Sequence, residues 1–118
     1  MMSGQELATA VQHGGKPIIL LFNNNMYGTI RMHQEREHPE RVIGTDLVNP
    51  DFVALGKAHG VHAERVAETA EFLPALERAL GSGRAALLEL VMDPEQVSTR
   101  ATITELRRRK RPAGKTEA

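Results

Sequence analysis

Apolar positions at Leu7, Ala10 and Val11 follow Ser3 and Glu6, an S-x-x-E spacing that predicts a capped helix ending at Gly14-Gly15. The period then changes. Pro17 to Phe22 is a short, nearly continuous apolar run with a β-branched start, which predicts a strand buried on both faces of a parallel sheet. Thr29 to Glu37 is polar and predicts a second helix, interrupted by Pro39. Asn49-Pro50 places a cap residue before a proline, and Phe52, Leu55 and Ala58 form the stripe of a third helix that ends at Gly60. Val61 to Val66 alternates as a strand. Thr69 is then positioned to cap a helix carrying Phe72, Leu73, Leu76 and Leu80, and Ala85 to Val91 predicts a further apolar strand.

The order helix, strand, helix, helix, strand, helix, strand predicts a layered α/β domain with a parallel sheet and right-handed crossovers. A sheet this small has outer strands with unpaired backbone edges unless further strands or another chain cover them. Residues 1–95 are expected to form the domain. After Asp93-Pro94 the apolar pattern dissolves, so residues 96–118, including Arg107 to Arg111 (RRRKR), are expected to be a flexible polar, basic end. There is no internal repeat.

With 118 residues, 41% hydrophobic and 25% charged, the chain has the size and balance of one globular domain, and aromatics at 3% leave the core to Leu, Val, Ile and Ala. Fifteen basic and fifteen acidic side chains cancel, which gives no general attraction to nucleic acid or to an anionic membrane. The RRRKR run carries no interleaved aromatic residue on which a base could stack, so a solvated face is favoured. The absence of cysteine excludes a disulfide framework and thiolate metal sites and is compatible with a cytoplasmic protein. Ile18 to Phe22 is far below the roughly 20 apolar residues that cross a bilayer. His33 and His38 lie in a polar segment while His59 and His62 straddle a helix-to-strand break, so no zinc site is expected. No Ser/His/Asp triad is supported either, and no residue is assigned a catalytic role.

Asn23, Asn24 and Asn25 follow the first strand, and ligand crevices of open α/β sheets lie outside the carboxyl ends of strands. Magnesium takes six oxygen ligands and is commonly shared with phosphates that already carry the negative charge. An asparagine amide oxygen and a nearby backbone carbonyl can complete such a shell. Gly28 would let the chain approach a diphosphate, and a helix opening at Thr29 would offer N–H groups to the anion. A plain turn explains clustered asparagines equally well, and local chemistry leaves the two alternatives open.

The segment Phe22-Asn23-Asn24-Asn25-Met26-Tyr27-Gly28, with Pro17 to Leu21 before it, the Gln-Glu-Leu-x-Thr-Ala stretch Gln5 to Ala10 and the Asn-Pro-Asp-Phe-x-x-Leu stretch Asn49 to Leu55, resembles thiamine diphosphate-dependent enzymes of the acetolactate synthase, benzoylformate decarboxylase and pyruvate decarboxylase type. The likeness covers Met2 to about Val91. It implies a C-terminal thiamine diphosphate-binding portion, a partial Rossmann-like parallel sheet flanked by helices, with thiamine diphosphate and Mg2+ as cofactors. It further implies that Asn24 gives its side-chain oxygen and Met26 its carbonyl to the metal. Asn24, Asn25, Met26, Tyr27 and Gly28 would border the cofactor, and Thr29, Ile30 and His33 would line the substrate pocket. The implied reaction is decarboxylation or carboligation of a 2-oxo acid.

Two family features are missing here. A Gly-Asp-Gly triplet that completes the metal site should precede the Gln-Glu-Leu helix, and the cofactor-activating glutamate belongs to a separate domain for which there is no room. The chain is therefore expected to be N-terminally truncated, inactive alone, and dependent on upstream domains or a partner subunit, within a parent enzyme that forms homo-oligomers. The alternative from a different class is a noncatalytic remnant, an interaction module that binds a partner through its sheet edges or basic tail.

Overall fold

In the computed structural model, residues 2–110 are described. The elements are α1 (Glu6–Gln12), β1 (Ile18–Asn23), α2 (Gly28–Glu37), α3 (Phe52–Ala58), β2 (His62–Val66), α4 (Thr69–Gly81), β3 (Ala86–Val91), β4 (Gln96–Ser98), β5 (Ala101–Thr102) and α5 (Ile103–Lys110). The first seven follow the predicted order. The chain divides into two compact units, residues 2–23 with 49–92 and residues 24–48 with 93–110.

In the first unit the strands run in the order β1-β3-β2, all parallel, with Ile18 and His62 both in register with Ala86. This is a partial Rossmann-like α/β sheet. As the central strand, β3 is covered on both faces, and its side chains divide with the strand's period of two. Leu87, with Ala85 just before the strand, packs with Leu7, Phe52 and Val61, whereas Ala86 and Leu88 pack with Val66, Ala75 and Ala79. Each fully buried leucine contributes about 1.5–3 kcal/mol, so the continuous apolar pattern of this strand reflects two cores, one on either side.

The helix starts differ in detail from those the pattern predicts. Ser3 and Glu6 form no side-chain cap on α1; Gln5 is the N-cap, and the Ser3 carbonyl instead accepts the Glu6 N–H at 3.2 Å. Asp51, not Asn49, caps α3, its Oδ1 accepting from the Ala54 N–H at 3.0 Å, because Asn49 is engaged with Asn23. A capping box of Glu68 and Glu71 opens α4, with Thr69 already inside the helix.

In the second unit β4 and β5 form an antiparallel pair, and α5 buries Ile103 and Leu106. Where composition predicts a flexible end over residues 96–118, residues 96–110 are thus structured, while 111–118 lie outside the described residues. A reciprocal cap starts α5: Glu105 Oε2 accepts the Thr102 N–H at 2.8 Å, and Thr102 Oγ1 accepts the Glu105 N–H at 3.2 Å. The basic run also has a structural partner. Arg107 forks onto Glu35 of α2, with Nε to Oε2 at 2.8 Å and Nη2 to Oε1 at 2.7 Å, and Lys110 donates to the Glu37 carbonyl at 2.7 Å. Glu35 is 0% exposed and also accepts from Arg31 Nε at 3.1 Å and from the Glu40 N–H at 3.0 Å. The Arg107 guanidinium, aided by the other donors, holds its carboxyl at about 2 against an ordinary 4.5.

A Cβ on Gly56 would lie 2.9 Å from the Ala63 Cβ, where α3 meets β2. Alanine would gain about 1 kcal/mol of helix propensity, yet overpacking costs about 1–3 kcal/mol, so Gly56→Ala is expected to lower the urea midpoint of unfolding. Glu35 is acidified in the folded chain, so its stabilisation is complete above pH 4.5 and is lost as the pH falls through about 2. Amide exchange of α2 should accelerate across that window, by an equivalent on the order of 3 kcal/mol. In Arg107→Met the added protection at neutral pH should be absent and the pH dependence flatter.

Candidate cofactor-binding site

Asn23 closes β1, and its carbonyl and both side-chain polar atoms are engaged. Its carbonyl accepts the Met92 N–H at 2.8 Å, its Nδ2 donates to Glu89 Oε1 at 2.8 Å, and its Oδ1 accepts from Asn49 Nδ2 at 3.0 Å. Glu89 is buried, and its second oxygen accepts from Arg65 Nε at 2.8 Å. Glu89 was not singled out from sequence; the signal available was one carboxylate inside the apolar run Ala86–Val91.

The next residues form the loop. Asn25 takes φ 56°, a left-handed conformation that asparagine tolerates better than most residues. Met26 forms an isolated antiparallel bridge with Asp46. The bridging bonds run from the Tyr27 N–H to the Thr45 carbonyl at 2.8 Å and from the Leu47 N–H to the Asn25 carbonyl at 2.9 Å. They anchor the residues flanking Met26 and leave the Met26 carbonyl out of the pair. The Met26 N–H donates to Asn24 Oδ1 at 3.2 Å, which draws the Asn24 side-chain oxygen back over the loop. An amide oxygen has two lone pairs, so one stays available to a cation.

Gly28 begins α2, and a Cβ there would lie 2.7 Å from Asn24 Nδ2, so glycine makes the room this side chain occupies. Tyr27, the N-cap, provides no side-chain cap, and the first N–H groups of the helix are suited to an anion. Thr29, Ile30 and His33 are all exposed in the first turns of α2, with the His33 ring paired to Arg36, while Glu35 of the same helix is buried.

Among the described residues no group of three or more His, Asp or Glu side chains could hold a metal. Asp46, across the bridge from Met26, has an arginine partner, Arg31 Nη1 at 3.8 Å. The donors at the loop are therefore neutral oxygens. They fit a hard cation whose charge is balanced by an anionic cofactor. Among the described residues, no helix is long and apolar enough to cross a membrane.

In open parallel α/β sheets ligands bind beyond the carboxyl ends of the strands, and the asparagine loop follows the end of β1 in the chain. Residues 1–90 match the family described as thiamine pyrophosphate enzyme, C-terminal TPP binding domain, and the chain belongs to that family. Its usual cofactors are thiamine diphosphate with Mg2+. Similar proteins include the probable acetolactate synthase large subunit of Methanocaldococcus jannaschii, 32% identical over 97 residues that cover 81% of this chain and 16% of the relative. The acetolactate synthase large subunit of Corynebacterium glutamicum is 39% identical over 83 residues, 66% of this chain and 13% of the relative. The mitochondrial acetolactate synthase catalytic subunit of Saccharomyces cerevisiae is 33% identical over 92 residues, 78% and 13% respectively. The chain thus spans between 11% and 17% of the length of the curated relatives it matches.

Gly28 has no positive φ, and the atom its Cβ would meet is the far end of a side chain that can swing aside. Gly28→Ala is therefore expected to leave thermal stability unchanged or slightly raised while displacing Asn24. A chain with wild-type stability whose Asn24 side-chain amide resonances also stay at wild-type positions would refute this.

Proposed function

We propose that the chain is the thiamine diphosphate- and Mg2+-binding segment of an acetolactate synthase-like enzyme that acts on 2-oxo acids. The observation that carries this reading is the convergence at one loop of the Asn24 amide oxygen, the Met26 residue it contacts and the space left by Gly28. When bound, thiamine diphosphate supplies the carbanion chemistry on which decarboxylation and carboligation depend. In this reading Asn24 holds the metal through Oδ1 and Met26 through its carbonyl. Asn25, Tyr27 and Gly28 border the diphosphate, and the free N–H groups at the start of α2 orient it. Thr29, Ile30 and His33 are the side chains of this chain that meet the substrate.

Neutral donors alone leave the metal's charge to the cofactor and to groups from elsewhere. A further carboxylate, from another part of a larger enzyme or from a partner subunit in a homo-oligomeric assembly, completes the metal's shell in this reading. A chain free of cysteine agrees with work in the cytoplasm.

The test is a titration of the isotope-labelled chain with thiamine diphosphate, with and without Mg2+, followed through its amide resonances. Selective movement of Asn24 to Gly28 is expected only when both are present, and Asn24→Ala should abolish it. Resonances that respond elsewhere while this loop stays still would rule the assignment out.

A further inference from the structure

We infer that Glu89 is a positioning residue for the metal-binding loop, acting through Asn23; the inference rests on the binding role proposed above. Glu89 lies in the central strand at 3% exposure, on the face it shares with Leu87. Burying a carboxylate here carries a desolvation cost that an apolar side chain of similar volume would avoid. The two carboxylate oxygens do different things. Oε2 accepts from Arg65 Nε at 2.8 Å, which neutralises the charge, and Oε1 accepts from Asn23 Nδ2 at 2.8 Å.

The second contact sets the amide's direction. A carboxylate only accepts, so the Asn23 side chain must turn its NH2 towards Glu89 and its oxygen away. That oxygen then meets the Asn49 Nδ2 donor at 3.0 Å. Flipping the amide would set oxygen against carboxylate and NH2 against NH2. With the Asn23 carbonyl also tied to the Met92 N–H at 2.8 Å, both backbone and side chain of this residue are fixed at the strand end. Asn24, the proposed metal ligand, is attached by the next peptide bond. A strand end free to rotate would leave the peptide that follows it unplaced, whereas Glu89 and Asn49 hold the Asn23 amide in one orientation. An ion pair serving only the sheet would require Arg65 and not Asn23.

The experiment reads the Asn24 to Gly28 amide resonances of the full chain without metal or cofactor. Glu89→Leu and Asn23→Asp, the latter placing two carboxylates against each other, are expected to move or broaden them. The double variant Asn23→Asp with Glu89→Gln reverses donor and acceptor, since the glutamine amide donates to the aspartate, and is expected to restore them. Arg65→Lys, which keeps a cation beside Glu89 but loses the guanidinium geometry, should leave them in place. In a Mg2+-dependent thiamine diphosphate titration, Glu89→Leu should weaken binding, by less than the roughly 10- to 100-fold that follows loss of a group bonded to the metal ligand itself. If Glu89→Leu fails to fold, the Asn23→Asp pair of variants carries the test. Loop resonances unmoved by Asn23→Asp, no recovery in the double variant, or an equal disturbance from Arg65→Lys would overturn the inference. A wild-type loop indifferent to both Mg2+ and cofactor would count against the binding role alone, because the swap is read without either.

Discussion

Taking a carboxylate out of water costs several kcal/mol unless cations and hydrogen-bond donors replace the lost solvent, and among the described residues this happens twice, at Glu35 and at Glu89. Each compact unit is organised around meeting that cost. In residues 24–48 with 93–110, Glu35 on α2 draws Arg107 from 72 residues further along the chain, and α5 is held against α2 by that fork. Arg31 and the Glu40 N–H complete the shell. In residues 2–23 with 49–92, Glu89 on the central strand takes an arginine from β2 and an amide from the end of β1, so one side chain links all three strands of the sheet. Removing any one partner would leave a buried charge short of compensation, which ties the position of these elements to electrostatics as firmly as to apolar packing.

Room is the second constraint, and glycine supplies it in two helices without any need for unusual backbone angles. Gly56 lets α3 approach β2, where Ala63 would crowd a Cβ, and Gly28 leaves space for the Asn24 amide. The chemistry differs because the neighbour differs. Against Gly56 lies packed core that cannot give way, so that glycine serves stability, whereas Gly28 faces a polar group that can swing, so its service is to the direction of Asn24. The two sheet edges differ in a related way. β2 is a polar edge strand, with His62, Glu64 and Arg65 among its five residues, while β1 leaves Phe22 65% and Leu20 39% exposed.

The strands were legible because their apolar runs switch period cleanly, and Ile18–Asn23, His62–Val66 and Ala86–Val91 fall within a residue of the predicted spans. The helix starts were less so. Several acceptors stand close together before α3 and α4, and which one caps depends on what else each side chain bonds, as with Asn49 and Asn23. α5 was missed because its residues are mostly charged and its burial rests on a partner 72 residues away, although the T-x-x-E spacing of Thr102 and Glu105 was a readable start signal. Polarity in a sequence does not distinguish a solvated arginine from one that neutralises a buried acid. At the loop, residue chemistry alone leaves a turn and a binding site equal, and the family likeness is what favours the proposed binding role. What only coordinates add is the Asn24 to Met26 contact and the space at Gly28.

These two constraints bear on how the loop would bind. Both buried carboxylates are neutralised by arginine, Asp46 has Arg31 beside it, and the loop's own donors are neutral oxygens. A divalent cation arriving alone would exchange water oxygens for amide and carbonyl oxygens of similar strength, with no charge to attract it. A diphosphate arriving alone would meet the start of α2 but carry its own charge uncompensated. Each supplies what the other lacks, so under the proposed role metal and cofactor bind as one unit, and by thermodynamic reciprocity each raises the affinity for the other by the same factor. Direction then matters more than strength at Asn24. A neutral ligand contributes little unless it points at the shared cation, and the absent Cβ at Gly28 is what leaves the Asn24 amide its present direction.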